Sequence, residues 1–90
     1  MARFYFHLDE DGSTVEDFEG IELPDLAAAH VTAVQAARGI MAHDIERGRI
    51  SLSAYIDIAG PDGSRLGQVV FRDAVTITDR RKTRITPSTG

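Results

Sequence analysis

His7, His30 and His43 are the only imidazoles in a chain of 90 residues that contains no Cys. A zinc centre needs several converging ligands drawn from Cys, His and carboxylates. His30 and His43 fall on different sides of one predicted helix and His7 on a predicted strand, so the three do not converge. His30, near an apolar stripe, reads as a half-buried histidine with a hydrogen-bond partner, and His43 with Asp44 reads as a surface pair. No metal and no other cofactor is expected.

The carboxylates fare no better as a catalytic set. Asp9-Glu10-Asp11-Gly12 opens like a calcium loop, but that loop would put its turn glycine at Thr14 and its bidentate Glu at Gly20. Those residues read instead as an acidic hairpin turn. Glu16 and Asp17 are consecutive, so a strand turns them to opposite faces and they cannot share a substrate. Gly63-Ser64 lacks both the frame of a nucleophile elbow and a helix behind it. Gly60-Pro61-Asp62-Gly63 joins two strands, whereas the short glycine loop of some RNA-binding domains joins two helices, and no phosphate-cradling loop exists. The residues therefore predict no enzyme. A weaker reading, a small-ligand protein or enzyme, would need a pocket that sets His7 or His30 beside an acid.

Recognition is the chemistry that remains. Arg3, Tyr5 and His7 share one face of the first strand, and Ser53, Tyr55 and Asp57 share one face of a later strand. If these strands are neighbours, an aromatic and polar patch stands on the sheet face away from the helix. Tyr and Arg are favoured at interfaces because they join contact area to a polar tip. The plainer reading is a solvated face on which Tyr has good strand propensity. In Phe71-Arg72-Asp73, Arg72 either pairs with Asp73 or holds an anion. Arg3, Tyr5, His7, Tyr55 and Arg72 are thus the binding candidates, for a protein partner, first of all a second copy. Nucleic acid is not expected, since Arg3 alone adds positive charge to the two tyrosines.

The elements that must position these residues follow from periodicity. Phe4, Phe6 and Leu8 alternate with Arg3, Tyr5 and His7, which predicts a half-buried strand. A weaker edge strand from Ser13 to Phe18 follows the acidic turn, then a short extended piece at Ile21-Glu22-Leu23. Leu26, Ala29, Ala33, Val34, Ala37, Ile40, Met41 and Ile45 keep the helical period. They predict one helix over about 24–47, begun by Pro24 and Asp25 and stopped by a left-handed Gly48. Ile50, Leu52, Ala54, Ile56 and Ile58 predict the clearest strand. Gly60–Ser64 turns it into a partner from Arg65 to Phe71, with a bulge near Gln68-Val69-Val70. The fold class is α+β: a two-layer ββαββ sandwich, with an antiparallel sheet of four strands and one long helix on one face.

Size and charge bound the rest. Ninety residues make one domain, read as residues 1–78, with a flexible basic tail over 79–90. Net charge is −4, but Asp9, Glu10, Asp11, Glu16, Asp17, Glu19, Glu22 and Asp25 fall where no Lys or Arg occurs, between Arg3 and Arg38. Arg80, Arg81, Lys82 and Arg84 crowd the other end. A basic protein partner at the acidic hairpin is therefore a second expectation. No stretch reaches the ~20 apolar residues of a membrane span, and no signal-peptide pattern opens the chain, so no membrane association is expected. Together with the absence of Cys, this predicts a cytoplasmic protein.

Arg3-Phe4-Tyr5-Phe6-His7-Leu8, Gly20-Ile21-Glu22-Leu23-Pro24-Asp25-Leu26 and Phe71-Arg72-Asp73-Ala74-Val75 together resemble a family of small uncharacterised bacterial proteins, over roughly residues 3–75. The resemblance implies a domain of unknown function and carries over no catalytic residue. The opening hairpin and the Pro-Asp-Leu step into the helix also resemble HicB-type antitoxins, over the first half of the chain. That likeness implies an antitoxin module binding a basic toxin.

Overall fold

The computed structural model describes residues 1–80. Its strands are β1 (Ala2–Glu10), β2 (Ser13–Val15), β3 (Ile21–Leu23), β4 (Tyr55–Ala59) and β5 (Arg65–Val70). One helix, α1 (Leu26–Glu46), stands between β3 and β4, and a short 3₁₀ turn, Phe71–Ala74, follows β5. The fold is the expected α+β arrangement of one long helix on an antiparallel sheet. The sheet holds five strands, in the order β2-β1-β4-β5, with β3 also paired to β1.

The extra strand is the short extended piece at Ile21–Leu23, which pairs with β1 in its own right, while the strand expected from Ser13 to Phe18 stops at Val15. β2 pairs with Leu8–Glu10 and β3 with Ala2–Phe4 of the same strand. Between them, residues 16–20 face only Tyr5, Phe6 and His7, so the ladder cannot stay in register and opens into a loop. At the hairpin end, Asp11 and Gly12 take φ of 54° and 78°, which the two-residue primed turn of a hairpin requires.

Helix α1 is bounded by its sequence. Asp25 is the N-cap, its Oδ1 accepting from the Ala28 N–H at 2.9 Å, and Pro24 sits just before it rather than inside the first turn. At the other end Gly48, φ 84°, donates to the Ile45 carbonyl, and Arg49 donates to Asp44, the paired bonds of a Schellman ending. Ala29, Ala33 and Ala37 are fully buried at four-residue spacing, so the helix backbone lies close against the sheet. Leu26 and Ile45, expected in the same stripe, are exposed. A helix of this length runs to about 31 Å, whereas strands of five or six residues run to about 17–20 Å, so its ends overhang.

Two expectations about the second half are corrected. The apolar alternation from Ile50 to Ile58 holds for burial at Ala54, Ile56 and Ile58, but only Tyr55–Ala59 forms strand. Tyr55 pairs with Asp9, and β1 turns away two residues later, so residues 50–54 have no ladder partner there. Their carbonyls serve the 3₁₀ turn instead: Phe71 N–H donates to Ala54, and Arg72 N–H to Leu52. The irregularity in β5 lies at Leu66, earlier than the alternation suggested, since Ala59 pairs with Arg65 and Ile58 with Gly67.

The core lies between α1 and one sheet face, formed by Phe4, Ile56, Ile58, Val69, Met41 and the wholly buried Phe71. Arg38 fixes the outer margin by donating from Nε to the Ala74 carbonyl at 2.6 Å.

Candidate functional site

Strand β1 carries the site on one face and one edge. Its register with β4 sets His7 opposite Asp57, Asp9 opposite Tyr55 and Tyr5 opposite Ala59. The predicted neighbours are thus neighbours, and Tyr5, His7, Tyr55 and Asp57 share the face turned away from α1. Gln68 extends the row from β5 and donates to Asp57 Oδ1 at 3.0 Å, beside the Arg65–Asp57 ion pair at 3.4 Å. Ser53, expected in this patch, falls in the non-strand segment before β4.

The edge is organised by Asp17, which sequence reasoning passed over. Its Oδ2 accepts from the Phe6 N–H at 3.1 Å, filling the ladder position that the break between β2 and β3 leaves open. Its Oδ1 accepts from the N–H groups of Glu19 and Gly20, each at 3.1 Å. Its own N–H donates to His7 Nδ1 at 3.0 Å, which leaves the imidazole proton on Nε2. Burial pushes the Asp17 carboxyl upward, but the N–H donors of Gly20, Phe6 and Glu19 outweigh it. The group is held below its ordinary 3.8. The legible signal was Asp17 three residues before Gly20, a turn-forming pair.

Gly20 is required where it stands. Its φ is 70°, and a Cβ there would come within 2.9 Å of the Phe4 carbonyl oxygen and 3.0 Å of the Tyr5 ring. Arg3 closes the loop from the same side, donating to the Glu19 carbonyl at 2.6 Å and pairing with Glu22 at 3.3 Å.

Most of the expected site residues therefore have structural partners. Arg3 and His7 hold the loop, and Tyr55 hydrogen-bonds Asp9, whose bond and charge push the phenol above its ordinary 10.0. Thr14 donates to the same Asp9 carboxylate at 3.1 Å. Tyr5 lies against Gly20. Arg72 stands apart, exposed on the 3₁₀ turn beyond β5, and among the described residues no ion pair joins it to Asp73. The loop also presents a residue that alternation could not flag: Phe18 is 82% exposed.

Among the described residues no pocket opens beside His7 or His30, and no three of His, Asp and Glu gather as metal ligands. No helix among them is long and apolar enough to cross a membrane. The basic end from Arg81 onward lies outside the described residues.

The chain matches the family model of a domain of unknown function (DUF6894) over residues 3–72. No curated protein and no solved structure matches the chain.

Proposed function

The chain belongs to that DUF6894 family, whose description names no activity, and from this premise we propose that it is a non-catalytic, cytoplasmic protein-interaction module that associates with itself. One observation carries the reading: the sheet is covered by α1 on one face, while Tyr5, His7, Tyr55 and Asp57 line the other with no described element across it. That face mixes Arg65 with Asp9 and Asp57, so two copies related by a two-fold axis can set opposite signs against each other, as an isologous contact demands. In this reading Tyr5 and Tyr55 supply contact area, His7 and Arg3 fix the margin, and Arg72 is an outlying charge.

Sedimentation of the purified chain over a concentration series tests this. A dimer is expected, and replacing Tyr5 and Tyr55 together by Glu is expected to return it to monomer mass, because two carboxylates then face their own copies. A chain that stays monomeric throughout the series overturns self-association.

The concentration of acids along β1 and its edge favours a second reading, an antitoxin-like module holding a basic protein. Recovery from native cells with one stoichiometric basic partner, released by charge reversal at Glu16 and Glu19, would decide for it.

A further inference from the structure

Phe18 is the most exposed aromatic among the described residues, 82% accessible, yet it sits in one of the best-fixed loops of the molecule. Five hydrogen bonds hold residues 16–20: three to the Asp17 carboxylate, one from Asp17 to His7, and one from Arg3 to Glu19. A loop needed only to join β2 to β3 has no use for an apolar ring held out in water, which the hydrophobic effect opposes. A ring presented on a rigid support is instead how an interface anchor avoids the ordering cost of binding.

The surroundings specify the partner. Glu16 and Glu19, both exposed, flank Phe18 within the loop, and Val15 and Ile21, the residues that pair with β1 on either side of it, are exposed as well. Arg3 is engaged with the Glu19 carbonyl and the Glu22 carboxylate, so Glu16 and Glu19 are the acids that a partner meets here. Like-charged rims disfavour a two-fold contact of this edge with itself, so the complementary surface is cationic.

We propose that Phe18 is the anchor of a second docking site, on the β2–β3 edge, for a different protein that offers an apolar pocket rimmed by Arg or Lys. This site is separate from the open sheet face and stands whether or not the chain dimerises there.

The test is to place the photo-crosslinking analogue p-benzoylphenylalanine at position 18 of the full chain in its native cells, with the exposed helix position 31 as control. The expected product is one covalent adduct with a different protein, specific to position 18 and mapping to apolar residues flanked by Arg or Lys. The purified pair should then bind at least about tenfold more weakly with Phe18→Ala, as an anchor residue requires. Phe18→Ala is expected to fold normally because the ring is exposed, and circular dichroism checks this. Any of four results overturns the proposal: an adduct with a second copy, an adduct with residues 80–90 of the same chain, no adduct above the control, or a Phe18→Ala affinity unchanged. None of these changes the sedimentation result on which the open-face reading depends.

Discussion

Asp17 shows how one side chain can stand in for a missing strand. Where β2 and β3 fall out of register, the Phe6 N–H would lose its ladder partner, and a carboxylate oxygen takes that place. Replacing Asp17 by Ala leaves the N–H groups of Phe6, Glu19 and Gly20 without this acceptor, at a cost of about 1–3 kcal/mol. Chemical denaturation of the two forms measures it. The same carboxyl has a folded value below 3.8, so its stabilisation is complete above about pH 4. It is lost as pH falls through the folded value. In an acid titration the amide resonances of Phe6, Glu19 and Gly20 are therefore expected to move together below about pH 4, and an Asp17→Asn chain should not show that coordinated shift. Asp17 three residues before Gly20 hints at the turn, but its bonds to Phe6 and His7 are set by register and leave no signal among its sequence neighbours.

Elements were legible where local chemistry and tertiary position agree. Helix α1 was, because Asp25, the spacing of Ala29, Ala33 and Ala37, and Gly48 all point to the same boundaries. Asp25→Ala should accordingly destabilise the domain by about 1 kcal/mol through loss of the Ala28 cap bond, read as a lowered denaturation midpoint with an unchanged slope. A larger effect is expected at Ala33, which is wholly buried between helix and sheet: Ala33→Leu should cost about 1–3 kcal/mol because the backbones cannot separate to admit it. The strand from Ile50 illustrates the opposite case. Its alternation correctly marks Ala54, Ile56 and Ile58 as inward, yet a strand also needs a partner, and the pairing with β1 ends at Tyr55. Side-chain periodicity carries no information about where the neighbouring strand stops. The bulge in β5 escaped its expected place for the same reason, since pairing with β4 sets it at Leu66.

At the scale of the whole molecule, β1 is the hub: it pairs with β2, β3 and β4, while α1 rests mainly over β4, β5 and the 3₁₀ turn. The helix thus covers one half of the sheet, and the half that holds the acidic loop is left with a thinner hydrophobic layer. Phe6 and Leu8 are only partly buried, and all three residues of β2 are exposed. This asymmetry explains why the fold class could be read from the sequence and the candidate edge could not. The fold follows from two apolar periods, but the edge is defined by what the helix fails to cover. It also predicts an order of opening. Amides of β4, which is paired on both sides, and those of β1 that bond to β4 should exchange hydrogen most slowly, and those of β2 fastest among the strands. Asp17→Ala should spread the fast exchange from β2 through the loop to β3, because the bond to Phe6 is what joins those two pieces to one edge. If β2 exchanged as slowly as β4, the edge would be part of the cooperative core. If β3 stayed protected without Asp17, the backbone pairing of Ala2–Phe4 would suffice and the carboxylate would serve the loop alone.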